Sequence, residues 1–183
     1  LEGANIFRFA PSSGVYPYFS RRIGLQSGNP VPISFGGRFI GKIGKVEVAA
    51  QQVRTKKTDF IDSEDFSVIR VKQNFLKESS IGILYTRRHT NKGKDFVPPL
   101  PDRNTLGVDL SLNTSTFLKN QNLQFQAFAI LHNPNSLDNT DKSVWDRSAR
   151  GLRFNFPNDP WSGSLSYREF GVFYDPAVGF SRR

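Results

Sequence analysis

Alternation of apolar and polar residues at every second position is the feature that most constrains this chain. In residues 106–112 the even positions are all Leu or Val, whereas the odd positions are Gly107, Asp109 and Ser111. Successive side chains of a β-strand point to opposite faces, so this pattern predicts a strand with one apolar and one wet face. An amphipathic helix would need a period of 3.6 residues, which this segment lacks.

The same alternation recurs along the chain in pairs of segments joined by turn residues. Gly44-Lys45 separates one such pair, and the polar residues 119–122 separate another. Short turns between alternating segments are typical of β-hairpins. We predict about eight strands in hairpin order, at residues 37–44, 46–50, 66–75, 81–87, 106–112, 123–131, 151–156 and 164–173.

Short turns alternate with longer polar connections at residues 55–64, 90–104 and 133–147. Transmembrane β-barrels have short turns at one rim and long loops at the other, and a soluble sandwich shows the same asymmetry more weakly. The sequence therefore predicts an all-β antiparallel meander, either an arc of an outer-membrane-type barrel or a small barrel. Residues 1–183 are expected to form one segment of it, with an irregular N-terminal part at 1–35.

Composition narrows the class of protein further. Hydrophobic residues make up 37% of the chain, mean hydropathy is -0.44, and no run approaches the roughly 18 apolar residues of a membrane-spanning helix. The absence of cysteine excludes a disulfide framework or a thiolate metal site. A net charge of +9 favours acidic partners, but Lys and Arg are scattered rather than clustered, which argues against nucleic acid.

Several segments resemble a known bacterial family. Three stretches carry most of the likeness, namely LEGANIFRF at 1–9, FSRRIG at 19–24 and GGRFIGK at 36–42, with shorter matches at 66–72, 79–82, 106–109 and 178–180. They resemble the C-terminal β-barrel domain of bacterial envelope proteins that carry an N-terminal family 9-like carbohydrate-binding domain. The likeness spans nearly the whole chain.

The resemblance implies a membrane-barrel domain of unknown biochemical function in the bacterial outer membrane. Some members are labelled as membrane-associated hydrolases, but the family supplies no catalytic set to place on this sequence. The resemblance also implies a longer domain. Because the chain opens at Leu1 without an initiator Met and stops at Arg183, we expect it to hold only the first part.

Catalytic chemistry has little support in the residue types present. His89 and His132 lie beside long connections and lack metal-site spacing. Acidic clusters at 62–65 and 138–141 fit turn chemistry better than a calcium loop. We expect no cofactor and no bound metal, and no catalytic residue is assigned.

Charged and aromatic residues supply the remaining candidates. In a barrel Arg87, Asp109 and Ser111 are candidates for the lumen-facing surface, where they would attract anionic solutes. Aromatic residues near predicted strand ends are candidates for an interfacial girdle or, alternatively, for stacking against sugars: Trp145, Trp161, Tyr167, Phe173 and Tyr174.

Three hypotheses follow. The leading one is an outer-membrane β-barrel segment that acts as scaffold or conduit in an envelope protein linked to glycan handling. Its partners would be lipid, the remainder of its own barrel, and anionic solutes or glycans. The alternatives are a membrane-associated hydrolase with catalytic residues outside this segment or in its long loops, and a soluble carbohydrate-binding β-sandwich. Under the leading hypothesis the strands near Gly37 and Phe170 do not pair with each other.

Overall fold

The computed structural model describes residues 4–26, 29–58, 62–91, 102–134 and 143–181. Their regular structure consists of strands and three short 3-10 helices, at Ala4–Phe7, Ser20–Arg22 and Val144–Arg147. The strands are β1 (Val15–Tyr16), β2 (Leu25–Gln26), β3 (Asn29–Pro30), β4 (Ile33–Ile43), β5 (Val46–Thr55), β6 (Glu64–Phe75), β7 (Ser79–Thr90), β8 (Arg103–Phe117), β9 (Gln121–His132), β10 (Ser148–Pro157), β11 (Ser162–Phe170) and β12 (Phe180–Ser181).

Strands β4 to β11 form one antiparallel sheet in which each strand pairs with its neighbour in the chain. The all-β meander of eight strands predicted from the sequence is therefore confirmed. β11 ends at Phe170 rather than at the predicted Phe173. Beyond Phe170 the chain bonds to residues at the start of β10 and just before it: the Gly171 amide donates to the Ser148 carbonyl and the Phe173 amide to the Asp146 carbonyl, both at 2.8 Å.

The sheet has two unlike ends. Residues 44–45, 76–78, 118–120 and 158–161 make the short connections at one end, which we call the turn end. At the other end, which we call the loop end, β5, β7 and β9 finish at Thr55, Thr90 and His132, and β6, β8 and β10 begin at Glu64, Arg103 and Ser148. Positive φ angles at Gly44, Leu76 and Leu118 accompany the reversals of the first three hairpins.

One face of the sheet is covered by segments from both sides of the meander, and we call it the inner face. Ile6, Phe7 and Phe9 pack against inward side chains of the central strands, including Val68 and Leu84. Ala177 and Val178 pack against Val53 and Phe66 nearer the loop end. The core therefore lies between the inner face and these two flanking segments.

The sheet does not close into a barrel. β4 has β5 as its sheet neighbour, β11 has β10, and no described residues of β4 and β11 pair with each other. The prediction that the strands near Gly37 and Phe170 remain unpaired is confirmed. None of the described residues forms a helix long and apolar enough to cross a membrane.

Candidate functional site

A buried ion pair lies at the centre of the inner face. The Arg70 guanidinium donates two hydrogen bonds to the Asp109 carboxylate, at 2.5 and 3.0 Å. The Arg70 side chain is 1% exposed and that of Asp109 is 11% exposed. A bidentate pair of this kind combines charge with fixed geometry.

Arg70 reaches Asp109 across an intervening strand. Arg70 is on β6 and Asp109 is on β8, and Gly82 of β7 pairs directly with Asp109. A Cβ atom added at Gly82 would lie 2.7 Å from atoms of the Arg70 guanidinium. Because Gly82 has no side chain, Arg70 has room to extend across β7 to Asp109.

The ion pair also holds the segment that covers it. Arg70 donates to the carbonyls of Ile6 and Arg8 at 3.3 and 3.4 Å, and the Ala10 amide donates to Asp109 at 3.2 Å. The Phe9 ring lies 5.5 Å from the guanidinium carbon. Arg70 and Asp109 thus provide hydrogen-bond partners for backbone groups of the N-terminal segment that are not paired in a β-sheet.

Toward the turn end, the inner face becomes a continuous polar surface. One row of paired residues crosses six strands and consists of Asn74, Ser80, Ser111, Gln126, Arg153 and Ser166. The next row consists of Asn113, Gln124, Asn155 and Ser164. Two adjoining clefts of about 380 and 200 Å³ lie on this surface and share Pro11, Ser111 and Asn113 in their lining. We call the two together the inner groove.

The opposite face of the same strands, the outer face, is apolar and exposed. In its middle the side chains of Ile83 and Val108 form a cross-strand pair, and both are at least 40% exposed. The exposed apolar residues of this face are Phe35, Phe39, Ile43, Ile69, Val71, Ile81, Ile83, Leu106, Val108, Leu112, Leu131, Leu152, Phe154, Leu165 and Tyr167. Exposed apolar surfaces of this extent are uncommon on monomeric soluble proteins.

Polar groups bound the apolar surface at the loop end. Arg54 donates to both oxygens of the Asp65 carboxylate, at 2.7 and 2.8 Å, and His89 Nδ1 lies 2.6 Å from Asp102 Oδ2. Burial works to raise the pKa of the Asp102 carboxyl, but the hydrogen bond and charge of His89 together hold that pKa below its ordinary value. The outer face therefore changes from apolar to charged within a few residues of the strand ends.

The structure separates the three residues predicted to face a lumen. Asp109 and Ser111 lie on the inner face, as the alternation of β8 predicted, and Leu106, Val108 and Leu112 lie on the outer face. Arg87 pairs with Asn104 on the outer face and is exposed, so it does not share a face with Asp109. The partner of Asp109 is Arg70, which the sequence reasoning missed, although Arg70 is in phase with the buried Phe66 and Val68.

The predicted aromatic group also divides. Trp161 is 80% exposed at the turn end, and Trp145 lies near the loop end with the Arg150 guanidinium 4.2 Å from its ring centroid. Tyr167 is exposed on the outer face and donates to Glu169 at 2.7 Å, and Phe173 is partly exposed. Tyr174, by contrast, is buried in the core, where burial raises the pKa of its phenol. Tyr174 is therefore not positioned for the predicted interfacial girdle or sugar-stacking surface.

Histidines and acids do not assemble into a catalytic or metal centre in the described part of the chain. His132 is buried on β9, with Nε2 3.1 Å from the Asp175 amide nitrogen, whereas His89 on β7 pairs with Asp102. No group of three or more His, Asp or Glu side chains there is placed to hold a metal ion. Of the acidic clusters, residues 138–141 lie outside the described residues, and those at 62–65 bind separate basic partners.

No family model, curated protein or solved structure matches this chain. The resemblance to the barrel domain of bacterial envelope proteins therefore stays a prediction.

Proposed function

We propose that this chain is an arc of a bacterial outer-membrane β-barrel, in which the outer face contacts lipid and the inner face borders a hydrated lumen. One observation carries the proposal: the sheet leaves a broad apolar face exposed, although its other face already carries the hydrophobic core. The inner face buries Arg70 and Asp109, while the outer face leaves Ile83 half exposed. In a water-soluble antiparallel sheet the face opposite the core is normally polar.

Energetics favour a lipid environment for the outer face. A side chain of the size of Leu, Ile or Phe gains about 1.5–3 kcal/mol on leaving water, and many such residues share this surface. On β9 the outward residues run from Leu123 to Leu131, which corresponds to roughly 27 Å along a strand. Outer-membrane barrels carry an apolar band about 25 Å tall on strands tilted by about 35–45°, so this length of strand spans about 19–22 Å of that height, which is most of the band.

The positions of tryptophan and the unequal ends support the same orientation. Trp161 lies at the turn end and Trp145 near the loop end, on either side of the apolar residues of β10 and β11. Aromatic residues flank the apolar band of outer-membrane barrels, whose short turns face the periplasm and whose long loops face outward. We infer that the turn end is periplasmic.

The open sheet edges supply the remaining partner. Unpaired backbone groups cost several kcal/mol each in hydrocarbon, so a sheet in a membrane must close. We propose that further strands pair with β4 and β11 to complete the barrel. In that assembly the segments over the inner face fill part of the lumen, and the chain serves as scaffold and conduit in an envelope protein linked to glycan handling.

Site-directed spin labelling tests the membrane placement, because the chain contains no native cysteine. Labels at Val108→Cys and Leu112→Cys on the outer face are compared with Ser111→Cys on the inner face and Asn120→Cys in a turn, in phospholipid vesicles. We expect the first two labels to collide more often with oxygen, which concentrates in lipid, and the other two with a water-soluble nickel complex.

Nickel accessibility at all four positions would contradict the proposal. A chain that remains monomeric in water without detergent would contradict it as well, since the outer face would then be stable in water.

A further inference from the structure

The inner groove has the composition of a binding site. Its larger cleft is lined by Arg8, Lys72 and Lys77 together with hydrogen-bonding side chains, and Arg153 lines the smaller cleft beside it. The volumes of the two clefts together lie in the range of ordinary small-molecule sites.

The groove contains more positively charged than negatively charged side chains. Arg8, Lys72 and Lys77 form no ion pair with any described residue, whereas the carboxylate of Asp109 is occupied by Arg70. The other acid of the lining, Glu78, accepts a hydrogen bond from Ser115 at 2.7 Å. The lining of the two clefts thus holds five cations against two acids, and this net positive charge favours a carboxylate or phosphate ligand.

Amide side chains provide the second half of the recognition chemistry. Asn155 donates to Gln124 at 2.9 Å, and Gln126 accepts from the Ser12 amide at 3.1 Å. Asn113 donates to Ser111 at 3.1 Å and to the Glu78 carbonyl at 2.9 Å. Each amide offers two donor hydrogens and an acceptor oxygen, which is more than these contacts use. Surfaces that can both donate and accept suit the hydroxyl groups of sugars.

We infer that the inner groove binds a polyhydroxylated anion, namely a sugar that carries a carboxylate or a phosphate. Cationic side chains recognise the acid, and the amide and hydroxyl rows recognise the ring hydroxyls. This inference rests on the proposed function, since it makes the groove a solute site on the lumen-facing surface, but binding itself requires only that the groove be open to water.

Isothermal titration of the folded chain in detergent tests the site with four probes. Trigalacturonic acid and glucose 6-phosphate represent the two acid sources, maltotriose is a neutral sugar, and citrate is an anion without a sugar ring. We expect at least one acidic sugar to bind about tenfold more tightly than maltotriose and citrate. Which acidic sugar binds identifies the acid.

Substitutions separate the groove from general electrostatic attraction. Lys72→Gln and Arg153→Gln should each weaken binding of the acidic sugar about fivefold or more. Lys45→Gln removes the same charge from the turn after β4, outside the groove, and should leave the affinity unchanged.

The inference is overturned if neither acidic sugar binds, if maltotriose or citrate binds equally well, or if Lys45→Gln is as damaging as Lys72→Gln. Its failure is distinguishable from that of the membrane placement. Lipid contact of the outer labels without sugar binding refutes the site alone, and sugar binding with outer labels in water refutes the membrane placement alone.

Discussion

At the scale of single residues, the Arg70–Asp109 pair is the most consequential contact of the inner face. Asp109→Asn leaves the Arg70 charge buried without a counter-charge, and breaking such a pair costs about 3–5 kcal/mol. We expect the free energy of unfolding, measured by urea titration in detergent, to fall by an amount of that order. The double variant Arg70→Met, Asp109→Leu should recover part of the loss, because it leaves no buried charge, but not all of it, because the Ile6, Arg8 and Ala10 backbone groups lose their partners.

The Arg150–Glu169 pair is a matched control, since it is also bidentate but solvent-exposed. Glu169→Gln should change stability little, because exposed ion pairs are screened by water. Equal losses for Asp109→Asn and Glu169→Gln would show that burial of the central pair does not stabilise the fold.

At the scale of elements, glycines on the central strands set how closely the N-terminal segment approaches the sheet. A Cβ atom at Gly107 of β8 would lie 2.8 Å from the Phe9 ring, whereas one at Gly163 of β11 would meet nothing within 4 Å. We expect Gly107→Ala to destabilise by about 1–3 kcal/mol through overpacking and Gly163→Ala to be tolerated. Thermal unfolding followed by circular dichroism measures both variants, and an unaffected Gly107→Ala would show that the segment can shift freely.

At the scale of the whole molecule, neighbouring positions on one strand report which face meets lipid. Leu165 of β11 points outward and is 69% exposed, and the adjacent Ser164 points inward. An arginine on the lipid face of a barrel costs about 2–4 kcal/mol at mid-depth, whereas lumen positions accept charge. We therefore expect Leu165→Arg, but not Ser164→Arg, to reduce the fraction of chain that folds into phospholipid vesicles after dilution from urea.

Protease protection of the vesicle-bound chain measures that fraction. If Leu165 instead faces water, both arginine variants should fold equally well, because substitutions at exposed positions of a soluble protein cost little.

Alternation along the chain was enough to predict the eight strands, their hairpin order and the two faces of β8, because strand geometry and tight turns are local properties. The same alternation places Arg87 with Ile81 and Ile83 on the outer face, although Arg87 was predicted to share the lumen-facing surface with Asp109.

The tertiary structure alone decided which face is covered and by what. The contact of Arg70 with Asp109 joins residues 39 positions apart across an intervening strand, and the burial of Tyr174 depends on where the C-terminal segment crosses the inner face. Period-2 alternation separates two faces but does not say which of them another segment will cover. That choice arises from contacts between residues distant in the chain, and here it placed the face with the hydrophobic core and the Arg70–Asp109 pair beneath the flanking segments and left the other apolar face open.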